Sequence, residues 1–302
     1  MPFSALAAAG SPIPVPSLAF GSGSTWRTNP RPLSDDGTAP DVVEAVASAV
    51  AAGFRHFDCA EVYQTERSVG AALAASGVRR DELFITSKVY RALPHVEDEV
   101  RRQLRELRVE QFDLFLIHTP RAVDAAGLTQ AEAWARLEGL VDQGLTKAIG
   151  VSNYTPADLD ALLPSARILP AVNQISLYPY SYHRNLATIE YCESRGILIE
   201  AYELASPIIR PSEQGGPLDP VLERIVDELE GSSSRRWTPG QVLLAWASAK
   251  GWVAVTTSSK RERQEEYVAA GDLSLSMEQV DAIDQAGKEG AERGFGTYTS
   301  WS

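Results

Sequence analysis

The chain has 302 residues, of which 44% are hydrophobic and 23% charged, a composition typical of a soluble globular protein. This length suits one large α/β domain or two small ones. The formal net charge of −12 gives the chain no general attraction for nucleic acid or for an anionic membrane surface. We therefore expect neither kind of partner.

The start of the chain and its two cysteines predict a cytoplasmic protein. The first sixteen residues lack a basic segment, and no apolar run in the sequence approaches the ~18–20 residues that a membrane helix needs. Cys59 and Cys192 lie in apolar contexts, without a second cysteine or a histidine at metal-binding spacing. This pattern predicts two reduced, buried cysteines and no metal site.

Strand-like and helix-like runs alternate along the chain. The strand-like apolar runs are 17–23, 54–60, 83–90, 113–119, 148–153, 171–176, 197–203 and 252–259. The amphipathic helix-like runs are 41–52, 66–76, 96–108, 129–143, 155–163, 183–195, 238–250 and 260–270. Eight nearly even units predict an α/β fold, a (β/α)8 TIM barrel formed by residues 1–302 as a single domain. A doubly wound sheet is the alternative, but no G-x-G-x-x-G sequence follows a strand and opens a helix.

Helix boundaries carry local signals. Asp41, with Glu44 three residues later, predicts a capping box, and Gly53 predicts the end of that helix. Thr155 and Thr238 each precede a proline, which predicts two further helix starts.

Two segments depart from the alternation. Residues 205–220 are rich in proline and glycine, and a helix-like run at 221–230 follows them. A second additional helix-like run, 276–288, follows the eighth unit. We therefore expect two extra helices, and long loops at the C-terminal face of the barrel.

Polar side chains collect at the ends of successive strands, where a barrel of this kind places its chemistry. In chain order they are Asp58 and Tyr63, Lys88, His118, Ser152 and Asn153, Gln174, and Tyr202. Each alone has an ordinary explanation as a turn, rim or packing residue. Their convergence on one mouth favours an active site.

Four of these residues suggest an acid–base mechanism. A free tyrosine has a pKa of ~10, too high for a good acid at neutral pH. Lys88, held by Asp58, would favour the ionised form of Tyr63, and His118 would orient a carbonyl oxygen. Tyr63 would then donate a proton to a developing alkoxide, but none of these groups supplies a hydride, so a cofactor is implied.

Six stretches carry a resemblance to a known family. They are GFRHFDCAEVYQTERSVGAAL, LFITSKVY, DLFLIHTP, KAIGVSNY, AVNQISLYPY and TSSKRERQEEY. In order and spacing the chain resembles an aldo-keto reductase over nearly its whole length. The resemblance implies a catalytic tetrad of Asp58, Tyr63, Lys88 and His118.

The same resemblance implies an extended NADPH as cofactor. Ser152, Asn153 and Gln174 would hold the nicotinamide carboxamide, and Tyr202 would stack on the nicotinamide ring. Hydroxyl and amide groups suit a carboxamide, and an aromatic face suits the ring.

The phosphate motif after the eighth strand departs from the family pattern. Ser258 and Arg263 keep the family spacing, but Thr257 stands where a lysine is usual. Lys260 or Arg261 would substitute for that lysine, so we expect NADPH (NADP+) over NADH. Glu266 would contact the adenine. Glu203 would place a carboxylate near the pyrophosphate.

Aromatic and small side chains define the expected substrate pocket. Trp26, Tyr90 and Thr119 are the expected substrate-binding residues, and Thr119 predicts a wide pocket because relatives often carry tryptophan there. Phe295, Tyr298 and Trp301 of the tail would close one wall. TPGQVLLAWASAKG and VTTSSKRERQEEY resemble the fungal branch that includes conjugated-polyketone and ketopantolactone reductases. The resemblance implies a monomer that reduces a small-molecule carbonyl: an aldehyde, an α-keto lactone or a diketone.

Two other functions fit parts of the pattern. A nucleotide-binding barrel of the same family could serve as a regulatory subunit, although such a role does not need Tyr63 beside Lys88. A hydrolase could use Asp58 and Glu61 as paired carboxylates, but both lie within one short loop.

Overall fold

The computed structural model describes residues 3–23, 26, 32–232 and 235–297. Eight parallel strands close into a barrel in chain order, with the last strand paired to the first, which confirms the predicted (β/α)8 fold. These strands are β3 (Leu18–Gly21), β4 (His56–Asp58), β5 (Phe84–Val89), β6 (Phe112–Ile117), β7 (Thr146–Ser152), β8 (Val172–Ser176), β9 (Leu198–Tyr202) and β10 (Val253–Thr256). All eight fall inside or beside the predicted runs.

A short antiparallel hairpin precedes the barrel and was not predicted. Its strands are β1 (Ala5–Leu6) and β2 (Val15–Pro16). Ala8 and Val15 of this segment join a buried apolar cluster with Phe84, Leu114 and Val172, all near the N-terminal ends of their strands. The hairpin therefore forms an apolar floor to the barrel interior.

Helices cover the outside of the barrel. They are α1 (Pro40–Ala52), α2 (Glu66–Ala75), α3 (Val96–Leu107), α4 (Pro120–Ala125), α5 (Gln130–Asp142), α6 (Pro156–Leu162), α7 (Pro179–Glu193), α8 (Ser206–Ile209), α9 (Leu218–Ser232), α10 (Pro239–Ala249), α11 (Arg261–Ala269) and α12 (Met277–Glu292). The extra helices α9 and α12 were predicted, whereas the short helices α4 and α8 were not. Among the described residues, no helix is long and apolar enough to cross a membrane.

Most of the capping predictions hold. Thr155 and Thr238 accept hydrogen bonds from the backbone three residues on, and Gly53 ends α1 with a φ of 115°. The prediction of a capping box at Asp41 is wrong, because α1 begins one residue earlier, at Pro40, with Ala39 at the N-cap and no side-chain cap. Proline at the first position has no N–H to be capped.

Strand alternation decides which side chains enter the barrel. Phe84 of β5, Leu114 of β6 and Leu198 of β9 belong to the interior cluster, whereas Phe57 of β4 packs outward against the helices. Because side chains alternate along a strand, residues two and four positions beyond an inward residue also point inward. The interior therefore changes from apolar at its floor to polar at the C-terminal ends of its strands.

Candidate active site

A buried ion pair forms the centre of the candidate site. The Nζ of Lys88 donates to Oδ1 of Asp58 at 2.6 Å and to the carbonyl of Cys59 at 3.0 Å. Lys88 has no exposed surface and Asp58 only 2%. Burial alone would lower the pKa of Lys88, but the charge and hydrogen bond of Asp58, with a contribution from Tyr63, raise it to about 12. The lysine is therefore a fixed cation at neutral pH.

Gln174 connects this ion pair to a second buried carboxylate. Its Nε2 donates to Oδ2 of Asp58 at 2.9 Å and to Oε2 of Glu200 at 2.7 Å. Glu200 is fully buried, beside Gln174 in the register of β8 and β9. Burial and the nearby Asp58 raise the pKa of Glu200 to about 7.

Glu200 was missed from the sequence, although a signal was present. It is an acid inside an apolar run, two positions before Tyr202 and therefore on the same inward face.

Tyr63 and His118 meet at the mouth of the barrel, above the ion pair. Their ring centroids lie 5.6 Å apart in an edge-to-face arrangement, and the ammonium of Lys88 lies 5.1 Å from the Tyr63 ring centroid. Tyr63 closes a 3-10 turn, Glu61–Tyr63, that directly follows β4. The structure thus brings the four expected catalytic residues together, with a cation beside the tyrosine.

A glycine makes room for the tyrosine ring. A Cβ atom added at Gly23 would lie 2.8 Å from Cζ of Tyr63. Gly23, two residues beyond the end of β3, therefore helps to decide where the ring sits.

Glu61 has a local role that excludes it from paired-carboxylate chemistry. Its carboxylate accepts hydrogen bonds from the backbone N–H groups of Tyr90 at 2.7 Å and of Arg91 and Ala92 at 3.0 and 3.3 Å. These bonds tie the loop after β4 to the loop after β5. This arrangement agrees with the interpretation of Glu61 as a loop residue and speaks against a hydrolase.

The three expected carboxamide-binding residues form one network with Tyr202. Nδ2 of Asn153 donates to the His118 carbonyl and to Oγ of Ser152, both at 3.0 Å, while the Ser152 hydroxyl donates to the Gln174 carbonyl at 2.7 Å. The Tyr202 hydroxyl donates to Oδ1 of Asn153 at 2.8 Å. Asn153 adopts a left-handed φ of 61°, which turns its amide back over the strand end. The network links β6, β7, β8 and β9 across the mouth.

The expected phosphate-binding residues surround the start of α11. Lys260 is its N-cap and Arg263 lies in its first turn, and both side chains are exposed. Arg261 is instead engaged by Glu265 at 2.8 Å. Glu266 is half-buried on the same helix, and its carbonyl accepts from the Gln241 side chain.

The two hydroxyl groups before α11 differ. Oγ of Ser258 accepts from the Lys260 N–H at 3.0 Å and so caps a local turn. Oγ1 of Thr257 is buried, and it has no hydrogen-bond partner in the described part of the chain. A buried hydroxyl group beside a helix N-terminus and two exposed cations fits an anionic ligand.

Glu203 is held by two partners. It forms an ion pair with Arg210 at 2.8 Å and accepts from Oγ of Ser176 at 2.6 Å. Arg210 also donates to Oγ of Ser206 at 3.0 Å. The carboxylate that the sequence placed near a pyrophosphate is therefore neutralised by the insertion after β9.

The expected substrate-binding residues occupy different environments. Tyr90 is half-buried with its ring centroid 6.4 Å from that of His118, and Thr119 is buried at the N-cap of α4. Trp26 is 5% exposed and packs with Phe20 in the layer between strands and helices, a placement typical of a packing residue. Phe295 stacks on Tyr180, whereas Tyr298 and Trp301 lie outside the described residues.

Comparisons with known proteins agree on one family. The model of the Aldo/keto reductase family matches residues 18–288. A Schizosaccharomyces pombe protein named NAD/NADP-dependent indole-3-acetaldehyde reductase is 33% identical over 290 residues, which cover 96% of this chain and 97% of that protein. The Danio rerio protein named Aldo-keto reductase family 1 member A1-A is 33% identical, with 89% and 86% of the two chains covered.

Solved structures agree with the sequence comparisons. The crystal structure of an aldo/keto reductase from Brucella melitensis matches with a TM-score of 0.78 at 27% identity, covering 95% of this chain and 98% of that one. The structure of a Bombyx mori aldo-keto reductase in complex with NADP matches with a TM-score of 0.79 at 28% identity, covering 96% and 94%.

Proposed function

Because this chain belongs to the aldo/keto reductase family, we propose that it is an NADPH-dependent carbonyl reductase in which Tyr63 is the general acid. The observation that carries the proposal is the buried Lys88 ammonium, 2.6 Å from Asp58 and 5.1 Å from the Tyr63 ring centroid. A cation at this place favours the tyrosinate that proton donation leaves behind. A barrel that only bound nucleotide would have no need for it.

Each member of the tetrad has a separate task. Asp58 offsets the cost of burying Lys88, since a buried charge is tolerated when it is paired and hydrogen-bonded. His118, whose ring lies edge-to-face with that of Tyr63, positions the carbonyl oxygen of the substrate for the proton. Tyr63 then donates that proton as the oxygen becomes an alkoxide.

The cofactor site uses this chain's own amides and cations. Gln174, Ser152 and Asn153 provide hydrogen-bonding groups for the nicotinamide carboxamide, and Tyr202 provides a ring face beside them. The reduced nicotinamide, when bound, supplies the hydride. Lys260 and Arg263 at the start of α11 would hold the adenosine 2′-phosphate.

Lys260 replaces the missing lysine in this proposal, rather than Arg261. Both side chains are exposed, but Arg261 is paired with Glu265, whereas Lys260, at the helix N-terminus, has no ion-pair partner among the described residues. Arg263→Ala should weaken NADPH binding about tenfold or more and NADH binding little, because only NADPH carries the 2′-phosphate. Arg261→Ala is the matched control and should weaken neither. Equal losses for both cofactors in Arg263→Ala would show that this arginine does not read the phosphate.

The substrate is an aldehyde, an α-keto lactone or a diketone. Thr119, the small residue that follows His118, would leave room for a substrate larger than a simple aldehyde, and the centroid of the Tyr90 ring lies 6.4 Å from that of His118. The yeast relative is named for an arylacetaldehyde, so a test panel should include one.

Loss of reduced-nicotinamide absorbance with this carbonyl panel tests the activity. Tyr63→Phe should reduce turnover about 10²–10⁴-fold and leave NADPH binding nearly unchanged, because the ring stays and the proton donor is lost. Tight NADPH binding without turnover across the panel would favour the alternative, a regulatory barrel of the same family. A Tyr63→Phe variant with full activity would show that another group is the acid.

A further inference from the structure

Glu200 stands out among the buried groups because the tetrad does not account for it. It has no exposed surface, and its Oε1 has no hydrogen-bond partner within the described residues. An apolar side chain, such as that of Leu198 two positions earlier on the same face, would avoid the cost of burying a carboxylate. A buried acid beside an active site is therefore a candidate for a functional role.

Glu200 is one of two acceptors for the side-chain amide of Gln174. The Gln174 amide has two N–H donors, and Asp58 and Glu200 accept one each, at 2.9 and 2.7 Å. In the described part of the chain, no group donates a hydrogen bond to Oε1 of Gln174, and this residue keeps 3% of its surface exposed.

The orientation of this amide follows from chemistry. An ionised carboxylate only accepts hydrogen bonds, so a reversed amide would set Oε1 against carboxylate oxygens. The bond to Glu200 also survives protonation of that acid, because Oε2 still accepts when the proton is on Oε1. Two acceptors on one side of Gln174 thus fix its carbonyl oxygen on the other.

We propose that Glu200 is a positioning residue of the active site: with Asp58 it takes both amide hydrogens of Gln174 and so presents Oε1 of Gln174 to the nicotinamide carboxamide as an acceptor. The inference rests on the proposed function, since it concerns how the same site holds its cofactor. Gln174 then accepts from the carboxamide NH2 and rejects a group that cannot donate.

A pair of cofactor forms tests this directly. NADP+ carries the carboxamide, whereas its 3-acetylpyridine analogue carries a methyl ketone that has no N–H to donate. We expect wild-type protein to bind NADP+ about fivefold more tightly than the analogue, since one hydrogen bond is worth about 1 kcal/mol. The ratio of the two dissociation constants, measured by titration of protein fluorescence, needs no turnover.

Variants of Glu200 should change this ratio in a defined order. Glu200→Leu removes the acceptor, frees the Gln174 amide to rotate, and should reduce the ratio to about two or less. Glu200→Gln keeps an oxygen that can accept from Nε2 and should keep most of the preference. Gln174→Leu should abolish it. Asp113→Asn, which removes a buried carboxylate at the other end of the barrel wall, should leave it unchanged.

The possible outcomes distinguish the role of Glu200 from the proposed function of the protein. Wild-type protein that binds neither cofactor form would overturn the proposed function. Wild-type protein without a preference, or an undiminished preference in folded Glu200→Leu or Gln174→Leu, would overturn the role of Glu200 alone. If Glu200→Leu does not fold, Glu200→Thr, whose hydroxyl is too short to reach Gln174, serves in its place with the same expectation.

Discussion

The two ends of this barrel bury charge in different ways. At the N-terminal end, Asp113 accepts from Lys147 at 2.7 Å and Arg80 at 2.8 Å, and both cations reach solvent. At the C-terminal end, Asp58, Lys88 and Glu200 are packed together out of water. The first arrangement completes the hydrogen bonds of one buried acid, and the second concentrates charge where a substrate would meet it.

The comparison shows that burial of an ionisable group does not by itself identify a site. Asp113 and Asp58 are equally buried, at 2% exposure each. They differ in their neighbours. The neighbours of Asp113 are Arg80 and Lys147, which join the strands of the wall. Asp58 instead contacts Gln174 directly and Tyr63 through Lys88.

The largest expected effect lies at the C-terminal end. Lys88→Met should lower activity about 10²–10⁴-fold, because Tyr63 loses its cation. It should also lower the free energy of unfolding by about 3–5 kcal/mol, because Asp58 is left buried without a counter-charge. Adding Asp58→Asn should restore most of that stability in urea denaturation and none of the activity. An active double variant would contradict the division between the two losses.

Asp113→Asn should lower stability and leave activity unchanged. Removing its charge leaves Arg80 and Lys147 without their shared partner, and the free energy of unfolding should fall by about 1–2 kcal/mol, because both cations stay in contact with solvent. The catalytic constant and KM should not change, because Asp113 lies at the far end of the wall. Denaturant titration and steady-state kinetics measure the two quantities. A kinetic defect equal to that of Lys88→Met would remove the distinction between the ends.

The two ends should also respond to pH with opposite signs. Burial raises the pKa of Glu200 to about 7, so the folded chain holds a proton that the unfolded chain releases near pH 4.5. Stability from this group is present below pH 4.5 and is lost as pH rises to 7, by on the order of 3 kcal/mol. Relative to wild type, Glu200→Gln should therefore gain stability between pH 5 and 8. A difference that stays constant over that range would contradict a raised pKa.

His56 provides the opposite sign near the floor. Its Nε2 forms a hydrogen bond with Oγ1 of Thr86 at 2.8 Å, and its Nδ1 forms one with the Pro16 carbonyl at 3.1 Å. Burial lowers the pKa of His56 to about 4. The unfolded chain therefore binds a proton below about 6.5 that the folded chain refuses, so this contribution is lost as pH falls.

The smallest expected effect comes from a single methyl group. Gly23→Ala places Cβ 2.8 Å from Cζ of Tyr63, so the ring must shift. We expect activity to fall about tenfold with little change in stability, because a half-buried side chain can move aside. Gly21→Ala is the matched control, since its Cβ meets Val255 at an ordinary 3.6 Å. Equal activity in the two variants would show that the ring position is not critical.

Periodicity made the barrel and the strand-end residues predictable. Eight apolar runs predicted the eight strands, and the ends of those runs carried Asp58, Lys88 and His118, which predicted that these residues meet at one mouth. The hairpin β1–β2 was missed because two-residue strands are too short to show a period. The cap at Asp41 was misplaced because Pro40 can itself begin a helix.

The features that the sequence did not predict depend on contacts between different segments. Nothing near Glu203 in the sequence indicates that Arg210 would neutralise it, since that pair depends on how the insertion folds back. Glu200 was hidden within an apolar run, and its importance emerged only when Gln174 was seen to join it to Asp58.

The apolar floor lies at the end of the barrel opposite the mouth that carries the buried charges. Within the described residues, apolar side chains from the hairpin and from the starts of the strands fill the interior at this end. In the proposed reaction, the proton that Tyr63 gives up would be replaced from solvent at the mouth of the barrel, where the substrate also enters. A ligand at the mouth would therefore slow the exchange of that proton with bulk water. Each catalytic cycle would then reload its acid only after the alcohol departs, which couples proton supply to product exit.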